Sequence, residues 1–144
     1  ATLVSPLPAW AEDYNKGFLV NTDFSGKVLT DSSFTKANLR NSNFSGCNLK
    51  GVSFFGANLE SVNFESANLS YATLDAARLV KANLTNAILE GAFAFNAKFD
   101  GALITGADFT DVLLRQDVQE DLCEMAEGRN PTTGRDTRKT LECF

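Results

Sequence analysis

The chain has 144 residues, of which 44% are apolar and 22% charged, a composition typical of one soluble, ordered domain with short flanking segments. The net charge is −5, which argues against nucleic acid as a direct partner, because phosphate recognition needs a basic surface. The chain has no histidine, the commonest general base and metal ligand, and no apolar run approaches the roughly 20 residues that a membrane helix needs.

Residues 1–16 precede any regular pattern and are predicted to form an N-terminal cap for the segment that follows. The chain begins at Ala1, which fits a processed N-terminus or a shortened chain. Pro8 is a suitable first residue for a short helix through about Asn15. Leu7 or Trp10 would then cover the first structural unit, since the ends of stacked repeats need capping. The alternative is that an exposed Trp10 anchors a partner.

Residues 17–115 repeat with a period of five. Leu, Phe or Ile occupies nineteen of the twenty positions sampled from Leu19 to Leu114, and only Ala94 interrupts the series. Two residues before these centres the side chain is small in nineteen of twenty cases, with Lys27 as the exception. A period of five corresponds to about 72° per residue, which fits neither a helix nor a flat strand. The segment is therefore predicted to be a structural repeat.

A chain that turns a corner every five residues closes a square coil after about twenty residues. Successive coils would stack at strand spacing, about 4.8 Å, with the large centre and the small residue two before it pointing inward. Leu59 would then lie above Leu39, and Phe64 above Phe44. The sequence thus predicts an all-β solenoid of about five coils. The Asn residues before the centres should stack in hydrogen-bonded amide ladders.

The departure at Ala94 has two interpretations. Phe93 and Phe95 flank it, and strict register would point both outward on the side of the coil that also carries Phe55. A local distortion would instead turn Phe93 or Phe95 inward to fill the space beside Ala94. The alternative is an exposed patch of Phe55, Phe93 and Phe95 that binds a partner protein, since exposed apolar clusters mark interaction sites.

After Leu114 the apolar spacing becomes helical. A first helix is predicted over residues 115–127, with Val118, Leu122 and Met125 on one face. A second short helix is predicted over residues 134–142. Residues 116–144 are therefore expected to form a two-helix C-terminal cap that closes the last coil.

The three cysteines occupy different environments in this prediction. Cys47 lies at a small inward position and is expected to be buried and inert. Cys123 and Cys143 fall one on each predicted C-terminal helix. An antiparallel helix pair would bring their Cα atoms within the roughly 4.4–6.8 Å that a disulfide needs. The alternative is two reduced, buried thiols.

No constellation of catalytic residues is present in the sequence. It has no Ser-His pair, no Cys or His residues at metal-ligand spacing and no glycine-rich phosphate loop. We therefore expect no catalytic residue, no cofactor and no metal site, and we do not expect an enzyme.

The motif Ala-Asn-Leu at residues 37–39, 57–59, 67–69 and 82–84 resembles that of the pentapeptide-repeat proteins. The resemblance implies a right-handed quadrilateral β-helix. Residues 113–117, 122–123, 130–134 and 137–143 resemble the tail of plant and cyanobacterial members, above all those of the chloroplast thylakoid lumen. This implies a transit sequence removed before Ala1, a location in the lumen, a disulfide between Cys123 and Cys143, and no enzymatic activity.

The function expected from the residues and the resemblance together is a non-catalytic structural or protein-interaction module of the thylakoid lumen. We expect a monomer with an unidentified lumenal protein partner. The alternative is a redox-responsive protein whose caps loosen when the Cys123–Cys143 disulfide is reduced. A third role in the family, mimicry of DNA to bind a topoisomerase, needs a strongly negative rod. Residues 17–114 carry nine acids and seven bases, a difference of −2, which argues against that role.

Overall fold

Successive coils of the chain pair with one another at an interval of twenty residues. The computed structural model describes residues 11–144, and within them parallel bridges join residues twenty apart, the first between Asp13 and Ser33. The N–H of Leu59, for example, donates to the carbonyl oxygen of Arg78 in the next coil at 2.8 Å. Each side of a coil pairs at a single residue, so the described chain contains isolated bridges rather than longer strands. The twenty-residue interval predicted from the period of five is confirmed.

The interior holds the large side chains together with the small ones two residues before them. Leu59 and Phe64 are fully buried, as are Phe44 and Phe54. Rings twenty residues apart stack, with 5.5 Å between the centroids of Phe44 and Phe64. Rings ten apart meet edge to face, as Phe44 and Phe54 do at 5.6 Å. Both arrangements are favoured by the aromatic quadrupole, and each buried side chain contributes about 1.5–3 kcal/mol through burial.

Each corner is turned by the residue two positions after a centre. Asn41 and Lys81 occupy such corners with φ of 63° and 59°, a conformation uncommon outside glycine. The Asn before a centre supports its own corner, as when Asn43 Oδ1 accepts the N–H of Ser45 at 2.9 Å, which is an Asx turn. The expected amide ladders are wrong. Within residues 11–144 these Oδ1 atoms bind nearby N–H groups of their own coil, which would otherwise lack a partner.

The β-helix begins earlier than residue 17. Tyr14 stacks on Phe34 with 4.6 Å between ring centroids, so Tyr14 occupies the position of a centre. Residues 11–15 form a bridge and a turn rather than a helix, and the predicted helix through Asn15 is wrong over that range. Leu7 and Trp10, predicted to cover the first coil, lie outside the described residues.

Two helices follow the last coil. Helix α1 spans Gln116–Met125 and helix α2 spans Thr137–Thr140, both shorter than the predicted ranges. Asp136, which was expected in the first turn of the second helix, instead forms an antiparallel bridge with Arg129. Cys143 consequently lies beyond α2 rather than on it.

Candidate partner-binding surface and C-terminal cap

The phenylalanine patch, defined as Phe55, Phe93 and Phe95, lies on the outside of the β-helix. These side chains are 40%, 51% and 45% exposed. Leu113 bridges with Phe93 in the ladder and is also exposed, so it extends the patch. The interpretation that turns Phe93 or Phe95 inward is wrong, because both rings face solvent and Ala94 itself is fully buried.

Backbone hydrogen bonds to the coil before and to the coil after Ala94 keep the rings of Phe93 and Phe95 on the outside. The N–H of Phe93 donates to the carbonyl oxygen of Ala72 at 3.0 Å, and the N–H of Ala94 donates to that of Leu113 at 3.0 Å. The register of the coil therefore continues through the interruption. Successive side chains of an extended segment point to opposite faces, so an inward Ala94 places both neighbouring rings outward.

The corner after Phe95 departs from the regular pattern. Asn96 lacks the positive φ that the other corner residues between positions 16 and 111 share. Its N–H donates to Asp75 Oδ1 at 2.9 Å. Among residues 11–144 no backbone bond joins Ala76 N–H to Phe95 O, although Gly56 N–H makes the equivalent bond to Asp75 O at 3.1 Å. A distortion is thus present near Ala94, but it leaves the rings exposed.

Two charged residues, Asp75 and Arg115, share the column of Phe55 and Phe95. Asp75 lies between Phe55 and Phe95 in their column, and its Oδ1 already accepts the Asn96 N–H. Thr73, which bridges with Phe93, is uncharged. Charged residues are depleted at the centres of protein interfaces, and the hydrogen bond that Asp75 accepts offsets part of the cost of covering its carboxylate.

A disulfide joins Cys123 on α1 to Cys143 near the end of the chain, with 5.6 Å between the Cα atoms. Arg138 lies beside this link and donates to the carbonyl oxygens of Cys123 at 2.7 Å and of Phe144 at 2.8 Å. Gln119 Nε2 also reaches the carbonyl oxygen of Leu141 at 2.7 Å. These bonds hold the end of the chain against α1.

Asn130 and Arg135 attach the cap to the last coils. The Asn130 side chain is fully buried and its Nδ2 donates to the carbonyl oxygens of Asn86, Ala87 and Gly106 at 3.0–3.2 Å. Arg135 Nη1 lies 3.3 Å from Oδ2 of the buried Asp108. The sequence analysis assigned no contact to Asn130 or Arg135, because contacts this distant along the chain leave no local spacing signal.

Cys47 is a buried, free thiol, as expected. Its Sγ donates to the carbonyl oxygen of Phe24 at 2.9 Å. Burial raises the pKa of the Cys47 thiol, so at neutral pH it stays protonated and a poor nucleophile.

The described chain offers no arrangement of acidic, His or Cys side chains for a metal ion. Within residues 11–144, no group of three or more such residues is placed to hold one. No helix in the same range has the length and apolar content needed to cross a membrane.

A protein-family model described as a pentapeptide repeat region matches residues 18–109. The chain belongs to the pentapeptide-repeat family. Other pentapeptide-repeat structures therefore indicate that the four-sided coil is a right-handed quadrilateral β-helix. The description of the matched family names a repeat region and no enzymatic activity. A comparison with curated protein sequences gave no match.

Solved structures of other pentapeptide-repeat proteins resemble this one. A pentapeptide repeat protein from the Arabidopsis thaliana thylakoid lumen is 48% identical, with a TM-score of 0.86 and 88% of each chain covered. HetL, involved in heterocyst differentiation regulation in the cyanobacterium Nostoc, is 26% identical with a TM-score of 0.55, over 66% of this chain and 48% of HetL. The likeness to the Arabidopsis protein supports a location in the thylakoid lumen.

Proposed function

We propose that this pentapeptide-repeat protein is a non-catalytic interaction module of the thylakoid lumen that binds a partner protein through the phenylalanine patch. The observation that carries the proposal is the exposure of Phe55, Phe93 and Phe95 on one side of the coil. Solvent-exposed apolar clusters of this kind mark interaction sites. The partner expected is a folded protein with a flat apolar surface.

The β-helix suits this role because it presents the patch rigidly. Phe55 and Phe95 are two coils apart, which corresponds to about 9.6 Å at strand spacing. Bonds between coils hold the backbone at Phe55, whose carbonyl oxygen accepts the N–H of Lys36 at 2.7 Å, and at Phe93, whose N–H donates to Ala72. Beside Phe95, the bond from Asn96 N–H to Asp75 Oδ1 takes the place of the regular one. A surface that is already ordered loses little conformational entropy when it binds.

Capture experiments with matched variants test this proposal. The immobilised protein is exposed to thylakoid lumen extract, and the captured proteins are compared between the wild type and a Phe55→Ser/Phe95→Ser variant. A Phe18→Ser/Val28→Ser variant is the control, because Phe18 and Val28 are also exposed, at 80% and 54%, on other sides of the coil. We expect the patch variant alone to lose a specific captured protein while keeping its thermal stability. Equal capture by both variants would exclude the patch.

A redox-responsive role is the second candidate, favoured by the surroundings of the disulfide. Cys143 lines an open groove of about 590 Å³ together with the bases Arg129, Arg138 and Lys139 and the acids Glu127 and Asp136. Asp136 pairs with Arg129 and Lys139, which leaves Arg138 as the base of this groove that is not paired with a side-chain carboxylate of residues 11–144. Cationic side chains favour the thiolate forms that take part in thiol-disulfide exchange. A dithiol protein could therefore reach Cys143 and reduce the link to Cys123.

The test compares partner capture with and without a dithiol reductant. The redox-responsive role predicts that reduction changes the capture of the wild type and has no effect on a Cys123→Ser/Cys143→Ser variant. Identical capture by oxidised and reduced wild type would reject this role and leave the disulfide as a purely structural link.

A further inference from the structure

One side of the last coil has an open backbone edge. Inside the β-helix, the N–H groups of Leu79 and Lys81 donate to carbonyl oxygens of the next coil at 2.7 and 2.8 Å. The equivalent donors one coil later are the N–H groups of Phe99 and Gly101. Among residues 11–144 neither of these donors has a backbone or side-chain acceptor. The carbonyl oxygen of Ala97 likewise accepts no hydrogen bond from any donor within this range.

The C-terminal cap closes a different part of the same end. The N–H of Gly106 donates to the carbonyl oxygen of Glu127 at 2.9 Å, and the N–H of Phe109 donates to Thr140 Oγ1 at 3.0 Å. The cap therefore supplies Gly106 and Phe109 with the hydrogen-bond acceptors that a further coil would supply. It supplies no hydrogen-bond partner to the edge from Ala97 to Gly101. Unpaired edges of this kind are ready templates for pairing with another chain.

A groove runs between this edge and helix α1. This edge groove, defined by residues 96–101 on one wall and α1 with Arg115 on the other, has a volume of about 490 Å³. That size falls within the roughly 300–1,000 Å³ typical of ligand clefts. Val118 and Met125, which is 43% exposed, contribute apolar surface to it, so the groove offers both unpaired backbone and apolar contacts.

The charge of the edge groove is mainly negative. Its lining residues include the acids Asp100, Asp117, Asp121 and Glu124 and the bases Lys98 and Arg115. Arg115 is itself paired with Asp117, with 3.2 Å between Nε and Oδ1. The remaining negative charge favours a cationic ligand, because complementary charge steers association and discriminates between partners.

We propose that the edge groove binds an extended, lysine- or arginine-rich segment of a partner protein, which adds a strand to the last coil. One residue of the segment donates its N–H to Ala97 O and accepts the N–H of Phe99, and the residue two positions later accepts the N–H of Gly101. These bonds reproduce the pattern between inner coils. Strand addition of this type obtains affinity from main-chain bonds and specificity from side chains. The edge groove is separate from the phenylalanine patch, and neither proposal depends on the other.

The first test uses a fluorescein-labelled octapeptide of alternating Lys and Val, with a Glu and Val octapeptide as its control. Fluorescence anisotropy should show saturable binding of the Lys peptide at least about tenfold tighter than that of the Glu peptide. In the isotope-labelled protein, the amide exchange of Phe99 and Gly101 should slow when the Lys peptide binds. Absence of binding would overturn the proposal, as would binding that leaves both amides exchanging at their original rates.

Peptide chemistry separates strand addition from simple charge attraction. Alternate residues of a strand present their backbone groups to one edge, so N-methylation of one alternate set should abolish binding while methylation of the other set leaves it intact. Equal effects of the two sets would contradict strand addition. Protection of Phe99 and Gly101 in the free protein, together with dimer formation, would show that a second copy occupies the edge and would also overturn the proposal.

Charge variants identify the wall that attracts the peptide. A triple variant of the groove should bind the Lys peptide about tenfold more weakly; its substitutions are Asp117→Asn, Asp121→Asn and Glu124→Gln. The matched control Glu12→Gln/Asp31→Asn/Glu65→Gln removes three exposed acids outside the groove and should leave binding unchanged. Equal weakening in both variants would contradict a groove-specific interaction. If the first variant proves unstable in a thermal melt, amide exchange in the wild type decides.

Discussion

The side-chain amide of Asn130 donates a hydrogen bond of 3.0 Å to the carbonyl oxygen of Gly106, twenty-four residues earlier in the chain. The same Nδ2 approaches the carbonyl oxygens of Asn86 and Ala87, and Oδ1 accepts the N–H groups of Thr132 and Thr133 at 2.9 Å. One buried amide thus holds the turn of the cap and binds it to the backbone of two coils.

Replacing Asn130 with Ala should therefore destabilise the protein by about 2–4 kcal/mol, because buried donors and acceptors lose their partners. Asn43→Ala is the control, since Asn43 supports only its own corner through the N–H of Ser45, and it should cost about 1 kcal/mol. Urea unfolding followed by circular dichroism measures both. Equal costs would show that Asn130 is not the residue that attaches the cap.

Phe54 and Phe55 are neighbours with opposite environments, fully buried and 40% exposed respectively. Phe54→Ala should cost about 3–5 kcal/mol, because it removes a large side chain from a packed column. Phe55→Ala should change the free energy of unfolding by no more than about 0.5 kcal/mol. The comparison is made by chemical denaturation. Similar losses at the two positions would contradict the inward and outward assignment.

The centre of the β-helix could be predicted from the sequence because its signal is repeated and local. Every coil from Leu19 onward offers the same alternation of one large and one small inward residue, so errors at single positions do not shift the register. Even Ala94, which interrupts the series of large residues, points inward as the register predicts. The Asn residues were predicted to contact one another because they share columns, but a nearer backbone N–H satisfies each amide oxygen first.

The two ends were harder to predict because each depends on contacts that leave no periodic trace. Tyr14 is a centre preceded by Glu12 instead of a small residue, so the first coil escapes the pattern. At the other end, the bridge from Arg129 to Asp136 shortens the second helix. The hydrogen bonds of the Asn130 side chain join residues that are far apart in the chain. The open edge at Phe99 is visible only once the partners of neighbouring donors are known.

Reduction of the Cys123–Cys143 disulfide should lower the stability of the cap. The cysteines are 20 residues apart in the sequence, and a closed loop of that length is worth about 3 kcal/mol in the chain-entropy model. We expect the melting temperature to fall by roughly 5–10 °C when a dithiol reductant is added. Calorimetry measures the change, and the Cys123→Ser/Cys143→Ser variant should melt at the lower temperature with or without reductant. An unchanged melting temperature in the reduced wild type would mean that the hydrogen bonds of the cap suffice without the link.

Cys47 should resist thiol reagents in the folded protein. Burial raises its pKa, so at any given pH a smaller fraction is thiolate than in an exposed cysteine, and access is blocked as well. Without reductant the other two cysteines are disulfide-bonded, and a colorimetric disulfide reagent therefore reports on Cys47 alone. We expect labelling about a hundredfold slower in buffer than in denaturant. Rapid labelling of the folded protein would show that the column around Cys47 opens readily.

Site-specific photocrosslinking tests most directly whether the outward phenylalanines form the binding surface. The photoreactive residue p-benzoylphenylalanine is placed at position 95 in one sample and at position 18 in another, and each is irradiated with thylakoid lumen extract. Phe95→p-benzoylphenylalanine should give one defined protein adduct that Phe18→p-benzoylphenylalanine does not give. The absence of an adduct from position 95, or the same adduct from both positions, would contradict the proposed surface.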